Sequence, residues 1–119
     1  MELILVRHGQ NEWNKLHRTQ GQQDSPMTVK GTLQADLTGK ALSSYHIDRF
    51  YCSDAGRAVQ TAGRILKINP DFPLPKADPR LRELNYGNWE GMLHDEIKHD
   101  NPELYSLYRN DPASFRAPK

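Results

Sequence analysis

The chain begins with a short run of apolar residues. Residues 2–6 (ELILV) contain four consecutive apolar side chains. Such a run is too short for a helix and has the residue types of strands that are buried on both faces. The pattern predicts a first strand over residues 2–6. This strand would lead directly into Arg7, His8 and Gly9, so that two side chains able to carry positive charge follow a buried segment.

Two longer stretches carry apolar residues at helical spacing. The first helix is predicted to begin after Thr28, a suitable N-cap, and to end at about Ser43. Its apolar stripe consists of Leu33, Ala35, Leu37, Ala41 and Leu42. The second helix, with Ser53 or Asp54 as its cap, has a stripe formed by Ala58, Val59, Ala62, Ile65 and Leu66. Residues 49–52 (RFYC), between the two helices, are expected to form a second strand.

The remaining stretches are mostly polar or rich in turn residues. Residues 9–26 predict a long loop with one helical turn near 12–16, and long loops in compact domains are often functional. Residues 69–79 contain four of the eight prolines and predict an extended connection, followed by a short strand at 81–84. After a turn-rich stretch, two helices are expected at His94–Asp100 and Pro102–Asn110.

The predicted order of strand, helix, strand and helix is typical of an α/β fold with a mostly parallel sheet. Such crossovers are nearly always right-handed, so the carboxyl ends of the strands open on one edge of the sheet. Arg7 and His8 would follow the first strand, Arg57 would lie in the helical turn after the second, and Glu83 would follow the third. These four side chains are therefore expected to converge.

A histidine between two arginines favours phosphate chemistry. Guanidinium groups match phosphate oxygens and stay charged at any ordinary pH. A neutral imidazole can attack phosphorus, while a carboxylic acid such as Glu83 protonates the departing oxygen and later takes a proton from water. The alternatives are a solvated strand exit for Arg7 and His8, an ordinary surface charge for Arg57, and an ion pair of Glu83 with a neighbouring arginine.

Composition and charge limit the size of the domain, the classes of partner and the cellular compartment that are expected. The 119 residues correspond to one small domain, and the hydrophobic fraction of 36% with a mean hydropathy of -0.83 indicates a thin core. The net charge of +1 is scattered along the chain, which argues against a nucleic-acid or membrane patch. A single cysteine, Cys52, excludes an internal disulfide, and no signal peptide or long apolar span is recognised. A cytoplasmic protein is expected.

Several other residues invite a functional interpretation that the pattern does not favour. Tyr86 and Trp89 are expected to be wall and core residues, and Cys52 a small buried hydrophobe. His94 and His99 would point about 140° apart on a helix, which favours a solvated face over a metal site. No metal and no cofactor are predicted.

Four motifs resemble those of the histidine phosphatase superfamily, which includes phosphoglycerate mutases and many small-molecule phosphatases. LVRHGQNEWN (residues 5–14) resembles the family signature, and this resemblance implies that His8 is the phosphorylated nucleophile and that Arg7 and Asn14 are phosphate ligands. RTQGQQDSPMTVKGTLQA (residues 18–35) resembles the next block, in which Gln20 and Gly21 would line the pocket.

The other two motifs resemble later blocks of the same family. YCSDAGRAVQTA (residues 51–62) would supply Arg57 as a phosphate ligand, and LRELNYGNWEGM (residues 81–92) would supply Glu83 as the proton donor. The four blocks follow one another in family order over about residues 3–92. The resemblance implies a three-layer α/β/α fold with a mostly parallel sheet, in which residues 1–119 form the N-terminal portion of a single domain.

The chain departs from the family pattern at two points. Asn11 stands where the family usually has Thr or Ser, a position at which an amide could still donate a hydrogen bond. The second catalytic histidine of the family lies in a later block that would come after Lys119. The fold is therefore expected to be C-terminally truncated, and the chain alone is expected to be poorly folded or self-associating.

The resemblance implies a phosphate-monoester hydrolase that acts on a small phosphorylated metabolite through phospho-His8, with an activity that is expected to be impaired by the truncation. Two alternatives remain open. One is a 2,3-bisphosphoglycerate-dependent phosphoglycerate mutase, although QTA and GNWEG resemble the phosphatase branch more closely. The other is an inactive fragment that at most binds phosphate. No nucleic-acid or membrane partner is expected, and the oligomeric state is left open.

Overall fold

A computed structural model describes all 119 residues. Its regular elements are helices and one small parallel sheet. In chain order the helices and strands are α1 (Glu12–Lys15), α2 (Val29–Leu42), β1 (Tyr51–Cys52), α3 (Gly56–Ile68), β2 (Lys76–Ala77), α4 (His94–Asp100) and α5 (Pro102–Asn110). Two 3-10 helices cover Pro79–Leu81 and Gly87–Trp89. The chain divides into two compact units: the first unit contains residues 1–12 and 25–82, and the second contains residues 13–24 and 83–119.

Helix α2 begins where the sequence predicts. Thr28 is its N-cap, and the Thr28 hydroxyl accepts a hydrogen bond from the Gly31 amide at 3.0 Å. The buried face differs from the predicted leucine stripe, because Leu33 and Leu37 are exposed. The face is formed instead by the small residues Gly31, Ala35 and Gly39. A side chain at Gly39 would crowd Ile68 of α3, so small residues allow the two helices to approach closely.

Helix α3 packs against α2 through its buried residues Ala62 and Ile65. The predicted cap at Ser53 or Asp54 is wrong, since the helix begins after Ala55, which provides no capping side chain. The Ser53 hydroxyl instead accepts from the Ala55 amide at 3.2 Å, within the preceding turn. An ion pair with two parallel hydrogen bonds joins the helices: Arg64 Nε and Nη2 donate to the Asp36 carboxylate at 2.8 and 2.6 Å.

Strands β1 and β2 pair in parallel, with Tyr51 opposite Lys76 and Cys52 opposite Ala77, and α3 connects them. The prediction of a strand at 49–52 is thus confirmed at its C-terminal end. The strand predicted at 81–84 is wrong, and β2 lies in the stretch predicted as a connection. The reason is local: the Asp78 carboxylate accepts from the Arg80 amide at 2.9 Å and caps the 3-10 helix that Pro79 begins.

The N-terminal segment is the largest departure from the sequence analysis. Residues 2–6 form no regular secondary structure, and Leu3 and Leu5 are 73% and 85% exposed. The predicted buried first strand is therefore wrong for this chain. An extended segment becomes a strand only when a neighbouring strand takes up its backbone hydrogen bonds, and no strand of the chain pairs with residues 2–6.

The second unit has an aromatic core. The cluster consists of Tyr86, Trp89, Ile97 and Phe115. Trp89 stacks on Phe115 with ring centroids 5.1 Å apart, and these contacts confirm Tyr86 and Trp89 as core residues. Helices α4 and α5 have the predicted bounds, including Pro102 at the first position of α5. None of the helices of the chain is both long and apolar enough to span a membrane.

Candidate active site

His8 is half-buried and its ring has a defined hydrogen bond. Its Nδ1 atom lies 2.7 Å from the carbonyl oxygen of Gly9. Because a carbonyl oxygen only accepts, Nδ1 must carry the proton of this hydrogen bond. In the neutral imidazole the lone pair that can act as a nucleophile is then on Nε2.

A threonine connects the backbone next to His8 with Arg57. The Gly9 amide donates to the Thr61 hydroxyl at 3.0 Å, and this hydroxyl donates to the Arg57 carbonyl at 2.8 Å. Arg57 lies in the first turn of α3 and is only 6% exposed, which is unusual for an arginine. The structure therefore connects the His8–Gly9 segment with the turn that carries Arg57.

Thr61 was not among the residues predicted to form the site. A signal for it was present in the sequence, because Thr61 comes four residues after Arg57 and therefore lies on the same face of α3. Its hydroxyl satisfies the buried Gly9 amide, which would otherwise have no acceptor in a part of the chain away from water. Thr61 is thus a structural link within the candidate site.

The first turn of α2 holds the same segment from the other side. The Thr28 amide donates to the Gln10 carbonyl at 3.0 Å. Gly9 and Gly31 pack backbone against backbone, and a Cβ atom at either position would overlap a carbonyl oxygen of the other segment. Residues 8–10 are therefore fixed by the N-terminal part of α2 and by Thr61 of α3. The N-terminus of a helix favours an anion through the helix dipole.

The other predicted residues of the first unit have different exposures. Arg7 is exposed, whereas Asn11 is completely buried and forms an antiparallel bridge with Met27. Asn11 thus contributes to the interior of the first unit.

The second unit contains the remaining predicted site residues. Gln20 and Gly21 are buried, Asn14 is half-buried in α1, and Glu83 is exposed. Gln22, next to Gly21, brings two of the predicted motifs together: its side-chain amide donates to the Glu83 carbonyl at 3.4 Å. The Glu83 carboxylate accepts from the Leu84 amide at 2.8 Å and from the Tyr86 hydroxyl at 3.3 Å.

The two arginines that shortly precede Glu83 in the sequence, Arg80 and Arg82, pair with other carboxylates. Arg82 donates to Asp54 with two parallel hydrogen bonds and lowers the pKa of that carboxyl. Arg80 does the same to Asp78 and lowers its pKa to about 2. The alternative in which Glu83 forms an ion pair with a neighbouring arginine is therefore wrong.

The candidate residues thus belong to two sets. Arg7, His8 and Arg57 lie in the first unit, and Asn14, Gln20, Gly21 and Glu83 lie in the second. Within the first unit, Thr61 connects the His8–Gly9 segment with Arg57. Within the second, Gln22 connects the Gln20–Gly21 loop with Glu83. No three histidine, cysteine or acidic side chains come together as a possible metal site.

Comparison with known proteins gives a consistent result. Residues 3–119 match the histidine phosphatase superfamily (branch 1). The chain is 41% identical over 119 residues to the probable phosphoglycerate mutase GpmB of Serratia proteamaculans, covering 100% of this chain and 54% of that protein. It is 36% identical over 112 residues to phosphoserine phosphatase 1 of Hydrogenobacter thermophilus, covering 94% and 52%.

The similarity extends to solved structures. YhfR of Bacillus stearothermophilus superimposes with a TM-score of 0.84 at 39% identity, and the match covers 95% of this chain and 55% of that one. This similarity confirms the predicted α/β fold class. The chain spans about half the length of the relatives that it matches.

Proposed function

Because the chain belongs to the histidine phosphatase superfamily (branch 1), we propose that it acts on a phosphate monoester of a small metabolite through a phosphohistidine formed on His8. We further propose that residues 1–119 are the N-terminal portion of a single histidine phosphatase domain. Arg7, Asn14, Gln20, Gly21 and Arg57 bind the phosphate in this proposal.

The proposed reaction has two steps. The Nε2 lone pair of His8 attacks phosphorus and forms an N–P bond, while the P–O bond to the substrate breaks and Glu83 gives its proton to the departing oxygen. Glu83, now a carboxylate, then takes a proton from water as the water oxygen attacks phosphorus. The N–P bond breaks, and inorganic phosphate and neutral His8 are released.

The observation that supports this proposal best is the hydrogen bond between His8 Nδ1 and the Gly9 carbonyl. It fixes the tautomer whose Nε2 is nucleophilic and holds the ring in one orientation. The backbone around it is held by the N-terminal part of α2 and by Thr61 of α3, and a helix N-terminus favours a phosphoryl group nearby. The role of Glu83 rests on the resemblance of its motif.

A mutase reaction is the second candidate, because the 41% identical relative is called a probable phosphoglycerate mutase. In that reaction the phosphoryl group of phospho-His8 passes to a hydroxyl of the substrate instead of to water. The two reactions share the first step. They differ in whether inorganic phosphate or an isomeric phosphate ester is produced.

The proposal is tested by looking for the phosphoryl group on His8. The chain is incubated with phosphoserine, phosphoglycerate or p-nitrophenyl phosphate, quenched at alkaline pH and mapped by mass spectrometry. We expect phosphorylation at His8 in the wild-type chain and in the control His17→Ala, and none in His8→Ala. Absence of phosphohistidine with all three esters, even if phosphate binds, would support the inactive alternative.

The products then separate the two reactions. Released inorganic phosphate without an isomeric ester indicates a phosphatase. Conversion of one phosphoglycerate isomer into another indicates a mutase.

A further inference from the structure

We propose that Glu90 is a positioning residue that holds the loop containing Gln20 and Gly21 against the backbone that carries Glu83. This inference rests on the proposed function, because it concerns two groups to which that function assigns roles. Glu90 itself acts only through them.

One oxygen of the Glu90 carboxylate connects the two segments. Its Oε1 atom accepts from the backbone amide of Gln22 at 2.9 Å and from the backbone amide of Tyr86 at 3.1 Å. Gln22 belongs to the loop, and Tyr86 follows Glu83 by three residues. Hydrogen bonds to an ionised carboxylate are stronger than those between neutral groups, so this single side chain fixes both segments at once.

Gly21 fits the same carboxylate. Its φ of 55° lies in the left-handed region that favours glycine. A Cβ atom at this position would overlap Glu90 Oε1 and crowd the Tyr86 ring. The backbone of the loop therefore approaches the carboxylate as closely as it does only because residue 21 has no side chain.

The connection continues to the Glu83 side chain. The Tyr86 hydroxyl donates to Glu83 Oε1 at 3.3 Å, and the Gln22 side chain donates to the Glu83 carbonyl at 3.4 Å. Gln22 and Tyr86 thus bind Glu90 through their backbone amides and Glu83 through their side chains. Removing the Glu90 carboxylate should loosen Glu83 and the loop together.

The chain offers a matched control in the same unit. Glu96 also uses its carboxylate to accept a backbone hydrogen bond, from the Leu93 amide at 2.8 Å. That bond lies at the start of α4 and does not involve the loop or Glu83. Glu96→Ala therefore removes a comparable carboxylate and its hydrogen bond without touching the proposed connection.

The two hydrogen bonds that Glu90 accepts can be tested without measuring catalytic activity. In the wild-type chain, the backbone amide hydrogens of Gln22 and Tyr86 should be protected from exchange with solvent, because one carboxylate accepts from both. Both should exchange faster, by a similar factor, in Glu90→Ala and keep their protection in Glu96→Ala. Faster exchange of only one of the two amides in Glu90→Ala, or unchanged protection of both, would overturn the proposal.

The effect on Glu83 is tested by the leaving group. Phenyl phosphate needs protonation of its departing oxygen more than p-nitrophenyl phosphate does, so a misplaced acid slows the first substrate more. We expect Glu90→Ala to increase the ratio of the rate with p-nitrophenyl phosphate to the rate with phenyl phosphate by about 10-fold or more. Glu90→Gln, which keeps an acceptor oxygen, should give a smaller increase, and Glu96→Ala none. Equal slowing of both substrates by Glu90→Ala would indicate a purely structural role and contradict the proposal.

Failure of the two proposals can be told apart. Phosphohistidine on His8 without the shared loss of amide protection in Glu90→Ala refutes the role of Glu90 and leaves the proposed function intact. A shared loss of protection in a chain that never phosphorylates His8 refutes the function, and with it the kinetic role of Glu90.

Discussion

In the second unit a cluster of large side chains is buried together, whereas the first unit buries fewer large side chains and leaves many of its large apolar residues exposed. The second unit's cluster is formed by Tyr86, Trp89, Ile97 and Phe115. The buried hydrophobic residues of the first unit are Ala35, Ala62 and Ile65, and its exposed apolar residues include Leu3, Leu5, Val29, Leu33 and Leu74. The first unit nevertheless carries the predicted nucleophile.

This difference shows that the two units are stabilised in different ways. Aromatic contacts dominate the second unit, in which Tyr108 lies edge-on to both Tyr86 and Trp89. In the first unit, where few large side chains are buried, polar groups such as the Thr61 hydroxyl and the pair of Arg64 with Asp36 join separate segments. Substitutions should therefore act through lost packing in one unit and through unsatisfied polar groups in the other.

The largest effect is expected from the aromatic core. Trp89→Ala removes the ring that stacks on Phe115 and should lower the free energy of unfolding by about 3 to 5 kcal/mol. Leu16→Ala, at an exposed position in the same unit, should change it by no more than about 0.5 kcal/mol. Denaturant unfolding followed by circular dichroism measures both, and equal effects would contradict the importance of the cluster.

A smaller effect is expected from the polar link of the first unit. Thr61→Val keeps the shape of the side chain but leaves the buried Gly9 amide without its acceptor, which should cost about 1 to 3 kcal/mol. Thr61→Ser keeps the hydroxyl and should cost less. If thermal unfolding shows that the valine variant is as stable as the serine variant, the hydroxyl does not stabilise this segment.

The exposed N-terminal residues should affect association more than stability. Leu3→Lys with Leu5→Lys should change the free energy of unfolding by no more than about 0.5 kcal/mol. It should reduce self-association, because a charged edge resists pairing with another chain. Sedimentation velocity compares this variant with Leu16→Lys from the second unit. A wild-type chain that is monomeric at high concentration would refute the expectation.

The smallest effect on the free energy of unfolding is expected from protonation of Asp78 at low pH. Arg80 lowers the pKa of Asp78 from 3.8 to about 2, so the ionised carboxylate favours the folded state. This stabilisation is present above about pH 4 and is lost as the pH falls towards 2. It should be small because the Arg80 side chain is exposed. Unfolding at a series of pH values should show a shallower acid decline for Asp78→Asn, and an unchanged decline would contradict the role of this pair.

The sequence predicted some of the features that depend on local interactions and missed others. Thr28 and Pro102 mark helix starts because a capping hydroxyl and a fixed φ act within a few residues. The strand predicted at 81–84 was wrong because Asp78 and Pro79 form a 3-10 turn that competes with an extended chain. The buried strand at 2–6 was wrong because a strand depends on partners elsewhere, and the apolar run alone does not provide them.

The candidate site shows the same limit. The motifs identify His8, Arg57 and Glu83 as residues with suitable chemistry, and those roles stay predictions. The links that hold the surroundings of these residues, through Thr61 and Glu90, depend on which backbone amides meet which side chains. Such contacts between distant parts of the chain become visible only in the folded structure.

The most direct test of His8 as the phosphoryl acceptor is to identify the ring nitrogen that carries the phosphoryl group. The chain is labelled with 15N in histidine, incubated with a phosphate monoester and examined by phosphorus and nitrogen NMR. Since Nδ1 donates to the Gly9 carbonyl, the phosphoryl group should be found on Nε2 of His8, and the signal should be absent in His8→Ala. A phosphoryl group on Nδ1, on another histidine, or on none would contradict the proposed mechanism.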